Sequence, residues 1–259
     1  MKLLIVTSGR PGGNTQTAAE LIAENLAVLK QAQGSLTFET VNLGMEGIGF
    51  CRGCRLCFER GEQTCPCADN LLDLRDRIAA ADALILASPV YVEDVSGVMK
   101  NFIDRMAFNC YRPAFAGKLA LVLTTSGVGA TRHARKTMMT ALRLWGFTLC
   151  GDYNLRMGAR LKRDEIKKRH EKTLRNAAKR LCDAGNRGRA QRPSLQSLIV
   201  FTVQQHSWRR EVTPSAVTRA YWERQGWLNP KCAFYIPHRR KIVQGIARLA
   251  GLAIAKFFI

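Results

Sequence analysis

The chain has 259 residues, 47% of them hydrophobic, enough for one large domain or a domain with an appendage, and nothing in it is collagen-like or compositionally disordered. Its formal charge of +20 is uneven: residues 1–150 carry 16 Lys and Arg against 13 Asp and Glu, and residues 151–259 carry 24 against 7. The basicity belongs to the second part, where it would suit an anionic surface, nucleic acid or an acidic protein.

The chain opens with the apolar run LLIV and meets a Gly-rich loop, so neither a secretory leader nor a spanning helix is expected. A strand is predicted over residues 3–7, the loop TSGRPGGNTQ follows, and a helix is predicted over 14–33. Further strands are predicted over 36–43, 83–91, 119–126 and 147–153, and helices over 68–81, 95–108, 131–145 and 164–184. Five strands alternating with five helices imply a doubly wound parallel sheet, with ligands held at the carboxyl ends of its strands. Gly, Pro and Arg over 184–194 break this pattern and set a domain boundary between 1–186 and a basic, mainly helical extension, 187–259.

A strand-to-helix loop points backbone N–H groups and the positive end of a helix dipole at whatever sits there. Glycines let the backbone approach, Ser8, Asn14 and Thr15 offer hydrogen bonds, and Arg10 adds charge. The combination suits a terminal phosphate, although an ordinary capped turn reads the same way. The loop matches neither the dinucleotide fingerprint G-x-G-x-x-G nor the triphosphate loop G-x-x-x-x-G-K-[ST].

Two further carboxyl-end loops, ASPVYVEDVSGVMKNFIDR and TTSGVGATRHA, converge on the first. With them the chain, over roughly residues 1–185, resembles the flavodoxin-like NADPH-dependent FMN reductase family, in particular its iron–sulfur flavoprotein branch. The resemblance rests on Ser8, Arg10, Gly12, Gly13, Asn14 and Thr15 in the first loop and on the block Ser88 to Arg105. It implies FMN, with the phosphate on Ser8, Arg10, Asn14 and Thr15. The isoalloxazine would lie along Pro89, Val90 and Tyr91, with the loop of Thr125, Ser126, Gly127 and Gly129 on its other side. For Tyr91 the competing reading is a core aromatic at a strand end, and for Asp104 and Arg105 an ion pair or surface support at a helix end.

Five of the nine cysteines fall in GFCRGCRLCFERGEQTCPC, the loop 51–67. Cys51, Cys54 and Cys57 form C-x2-C-x2-C, three thiolates that can wrap one corner of a cubane with a fourth supplied nearby. The resemblance implies a [4Fe–4S] cluster on Cys51, Cys54, Cys57 and Cys65, with Cys65 preferred to Cys67 because Pro66 follows it. A zinc site, a dithiol pair and a purely structural loop remain open. Arg52, Arg55 and Arg60 would offset the charge of four thiolates or be solvated. His133, His170, His206 and His238 stand in no ligand spacing.

The expected function is that of an FMN-containing, NAD(P)H-dependent oxidoreductase of the cytoplasm, assembled as a homo-oligomer. The resemblance implies NAD(P)H, a ferredoxin or a quinone-like acceptor as partners. A cluster-free flavin or quinone reductase is the nearest rival; a non-enzymatic basic module at membrane or nucleic acid is the rival of another class. The charged run 162–181 reads as a solvated helix face, and no nucleic-acid module accompanies it. Residues 239–259 form a basic amphipathic helix with Lys241, Gln244, Arg248 and Lys256 on one side and Phe257 and Phe258 at its end. Such a helix suits peripheral contact with the inner face of a membrane, with Tyr221, Trp222 and Trp227 at interface level, or packing on the rest of the protein.

Overall fold

The computed structural model describes residues 1–31, 34–158, 161–187, 193–210 and 216–258. The expected end of the first helix at Gln33, part of the expected boundary (188–192) and the terminal Ile259 lie outside the described residues.

The strands are β1 (Lys2–Thr7), β2 (Thr37–Asn42), β3 (Ala83–Tyr91), β4 (Asp94–Val95), β5 (Leu119–Ser126) and β6 (Thr148–Arg156). Five of them pair in parallel in the order β2-β1-β3-β5-β6, and β4 folds back antiparallel on β3. This is the flavodoxin-like order, and its switch point lies between β1 and β3. Every residue of β5 is buried, because neighbours on both edges and helices on both faces leave it no solvated side.

Helices α1 (Asn14–Lys30) and α6 (Arg163–Asn186) cover the face of Leu3, Ile5, Ile85 and Leu121. The face of Leu4, Val6, Leu86 and Val122 is covered by helices that follow the one-turn α2 (Leu56–Glu59): α3 (Leu71–Ala80), α4 (Gly97–Arg105) and α5 (Arg132–Leu144). The period-2 alternation of β1 assigns Leu3 and Leu4 to opposite cores.

Several expected boundaries shift. The helix expected from residue 68 starts at Leu71, since the Asp69 carboxylate takes the Leu71 N–H at 3.1 Å and turns the chain. The helix expected over 95–108 is shorter: Val95 belongs to β4, the Ser96 hydroxyl caps α4 by accepting from Met99 N, and a 3-10 turn takes over at 107–110. The last strand runs on to Arg156, because β5 offers partners as far as Ser126.

The extension folds into α7 (Leu195–Arg210), α8 (Ala216–Arg224) and α9 (Lys241–Phe258). They enclose a third core of Leu198, Phe201, Trp222, Trp227, Phe234, Tyr235 and Ala247, closed on the sheet side by Ala116. Trp222 and Trp227 are buried there and not available at a membrane interface, because their rings stack and edge-pack with Phe201 and Tyr235. α9 lies close on α7: a Cβ at Gly251 would come within 2.7 Å of Thr202 Cβ, so only glycine permits the approach.

Candidate functional site

A groove of about 260 Å³ opens at the carboxyl ends of β1, β3, β5 and β6. The first loop contributes Gly9, Arg10, Gly13, Asn14 and Thr15 to its wall. A Cβ on Gly13 would lie 2.9 Å from the Arg10 carbonyl oxygen, and Gly12 turns the chain at φ +64°. No side chain caps α1, and its first turn holds no carboxylate, so the positive end of the helix faces the groove unopposed. The loop is tied back by Asn42 Nδ2, which donates to Gly9 O at 2.8 Å, and by the hydrogen bond between the Thr15 and Thr125 hydroxyls at 2.6 Å.

Pro89, Val90 and Tyr91 form the second wall and Thr125, Ser126 and Gly127 the third. Tyr91 is 58% exposed, so it is not a core aromatic. Beyond it, Val92 and Glu93 both adopt positive φ, 49° and 64°, in the two-residue turn joining β3 to β4. A β-branched residue there is strained, and Asp94 holds the turn by accepting from Val95 N at 2.7 Å and from Thr137 Oγ1 at 3.1 Å.

Three expected residues stand apart from this groove. Ser8 is buried, and its hydroxyl belongs to a chain in which Ser96 donates to Ser8, Ser8 to Ser88, and Ser88 to Pro89 O. That chain braces the second wall from behind. Gly12 and Gly129 do not line the groove, whereas Met157 and Gly158, unforeseen from sequence, do. Their only sequence signal was their place at the carboxyl end of the last strand.

A second cavity, also about 260 Å³, is lined by all five cysteines of the loop 51–67, together with Arg105 and Phe108. Cys51 and Cys54 are exposed, Cys57, Cys65 and Cys67 half-buried, and all are free thiols. Burial raises the Cys57 thiol above its ordinary range; the charges of Cys65, Cys51 and Cys54 add to the rise and Arg112 opposes it. Those three thiols are therefore electrostatic neighbours of Cys57, while the Cys67 thiol points to Phe50 O at 3.5 Å. Among the described residues, no three His, Cys, Asp or Glu side chains gather as the ligands of one metal ion would. A cubane differs, because each of its thiolates binds a different iron.

Two buried arginines hold this loop. Arg105 pairs with Asp69 at 2.6 and 3.1 Å, donates to Gly49 O at 2.7 Å, and reaches Cys65 Sγ at 3.6 Å. Burial pushes the Asp69 carboxyl up, but the Arg105, Gly49 and Leu71 hydrogen bonds outweigh it and leave the group below the usual carboxylate range. Asn101, one turn earlier on α4, accepts from Cys51 N and donates to Gly49 O. Arg112 donates to Cys57 O and Phe58 O, pairs with Glu62 at 3.0 Å, and donates to Thr218 Oγ1 of α8 at 3.0 Å. Asp104 makes the ion pair expected at a helix end, with Lys100, but Arg105 is a buried clamp. Of the arginines within the loop, Arg55 pairs with Glu59 in solvent, and Arg52 and Arg60 are exposed.

The family described as NADPH-dependent FMN reductase matches residues 1–158. An iron–sulfur flavoprotein of Archaeoglobus fulgidus is 35% identical over 127 residues, 48% of this chain and 57% of that protein. One of Methanocaldococcus jannaschii is 34% identical over 106 residues, 40% of this chain and 51% of that protein. The chain spans about half the length of these curated relatives. An FMN-dependent NADH-azoreductase of Bacillus anthracis, solved in complex with FMN, superposes with a TM-score of 0.50 at 15% identity, over 70% of this chain and 99% of that one. That likeness shows the fold.

Proposed function

Because the chain belongs to the NADPH-dependent FMN reductase family, we propose that it is an FMN-dependent oxidoreductase whose cysteine loop holds a [4Fe–4S] cluster. The observation that carries the reading is the groove at the switch point of the sheet, where the uncapped α1, Arg10 and three hydroxyl-bearing or glycine loops converge. When bound, FMN supplies one- or two-electron chemistry and a cubane one-electron chemistry, so together they link a two-electron donor to a one-electron carrier. In this reading NAD(P)H or a ferredoxin-like protein is the donor, and a quinone-like molecule or another protein the acceptor.

The chain's own residues would divide the work by place. The positive end of α1, with Arg10 and the Thr15 hydroxyl, suits a phosphate. Pro89, Val90 and Tyr91 offer an apolar and aromatic wall to one face of a flat ring, and the Thr125 to Gly127 loop offers backbone groups to its edge. Cys51, Cys54, Cys57 and Cys65 would be the cluster ligands, with Arg105 placing an N–H on the Cys65 sulfur and Arg112 fixing the backbone at Cys57. Cys67, turned to Phe50 O, would be left out.

An absorption spectrum of protein purified without oxygen, paired with iron and sulfide analysis, tests both parts. Flavin bands with a broad shoulder at about 400 nm and about four irons per chain are expected. Flavin without iron would leave the cluster-free reductase, and failure to bind added FMN would remove the enzyme reading altogether.

A further inference from the structure

We propose that the outer face of α9 docks on an anionic lipid surface, a function independent of the flavin groove and of the cysteine loop. α9 has two opposite stripes. Ala247, Gly251 and Ala255, four residues apart, are buried on the α7 side. Ile242, Ile246 and Leu249 form the opposite stripe, exposed by 83%, 55% and 75%, and Phe257 continues it with 84% exposure. The small residues let α9 seat on α7, and the large apolar ones are turned outward, the reverse of a helix that packs to bury its hydrophobic side. From Ile242 to Phe257 the stripe runs about 22 Å, at about 1.5 Å per residue.

The charges beside the stripe select the partner. Lys241, Arg248 and Lys256 are exposed on its flank, and neither α7 nor α9 contains an Asp or Glu. Arg209, Arg210 and Lys256 lie close enough together to act jointly on His206, whose imidazolium is disfavoured by burial first and by these charges after it. Among the described residues, no carboxylate pairs with Lys241, Arg248 or Lys256. A second copy of the same face would set these cations against each other with nothing to offset them. An anionic bilayer accepts both features, apolar side chains at the acyl boundary and ammonium and guanidinium groups at the phosphates. No helix among the described residues is long and apolar enough to cross a membrane, so the contact is in-plane.

The test is flotation of the full chain with vesicles of phosphatidylcholine alone and of phosphatidylcholine mixed with phosphatidylglycerol. The protein should float with the mixed vesicles and not with the neutral ones, and added salt should release it. Leu249→Glu should abolish flotation, and each of Arg248→Glu and Lys256→Glu should cut partitioning about fivefold or more. Circular dichroism of the variants should match that of the parent, since all three side chains are exposed. Absence of flotation, flotation indifferent to lipid charge, or flotation equal in Leu249→Glu would overturn the proposal. So would a lipid-free dimer, by light scattering, that Leu249→Glu converts to monomer.

Discussion

Gly13 stands where the first loop crosses its own Arg10 carbonyl, and an added methyl group has 2.9 Å in which to fit. Gly13→Ala must push the loop away from the start of α1, where the proposed phosphate would sit. A loss of about tenfold or more in FMN affinity, equivalent to about 1.4 kcal/mol, is expected in a fluorescence titration, with the fold intact by circular dichroism. An unchanged affinity would move the phosphate elsewhere. The cysteines separate in the same residue-by-residue way. Burial pushes the Cys110 and Cys150 thiols up to about 11, so at pH 8 roughly one in a thousand is thiolate. In metal-free protein, iodoacetamide at pH 8 should therefore modify the exposed Cys51 and Cys54 first, and peptide mapping should find Cys110 and Cys150 unmodified. Their labelling should rise as pH approaches 11. Spacing in the sequence separates the five cysteines of 51–67 from the other four; burial, visible only in the fold, separates their reactivities.

At the scale of elements, α4 and α8 act on a loop that belongs to neither. α4 presents Asn101 and Arg105 to Gly49, Cys51 and Cys65, and α8 presents Thr218 to Arg112, which grips Cys57 and Glu62. Gly61 faces Val217, and Tyr111 joins Phe58 of the loop to Trp208 of α7 through edge-to-face contacts. Arg112→Met removes four hydrogen bonds at once and leaves Glu62 with Arg75 alone. If the loop holds a cluster, this variant should lose iron to a chelator far faster, in line with the roughly 10–100-fold cost in metal affinity of removing outer-shell support. Thr218→Val, which deletes the hydrogen bond from Arg112, should act in the same direction, by about 1 kcal/mol for that bond. Iron retention unaffected by either change would mean that the loop holds its shape without the extension. This coupling was invisible in sequence, where Cys57, Arg112 and Thr218 are separated by dozens of residues and Arg52, Arg55 and Arg60 stood nearer to hand.

For the whole molecule, the open question is whether the extension is a passenger or part of one folded body. Its core ends on Ala116, the Trp222 indole N–H donates to Tyr111 O at 2.7 Å, and Tyr221 donates to Pro113 O at 2.8 Å. A shared seam of this kind argues for one cooperative unit. Trp222→Ala should cost about 3–5 kcal/mol in urea denaturation followed by far-ultraviolet circular dichroism. A transition that splits in two, with the sheet domain unaffected, would show the extension folding on its own. Within this body α9 leaves Ile242, Ile246 and Leu249 exposed, the face proposed above to meet lipid.

The doubly wound sheet was legible in the sequence, because strands buried on both faces and amphipathic helices alternate with a regularity that local pattern records. The sequence also located the groove's principal loops and the cysteine loop, since glycines, hydroxyls and thiols are specific to such places. It could not decide boundaries set by a distant partner, such as the start of α3 at an Asp69 held by Arg105, or the commitment of Ser8 to Ser88 and Ser96. Nor could it tell which apolar stripe of α9 is buried, because apolar residues flank its charged side in both directions. Packing sets it, through a glycine that lets α9 approach α7 and leaves Ile242, Ile246 and Leu249 outside.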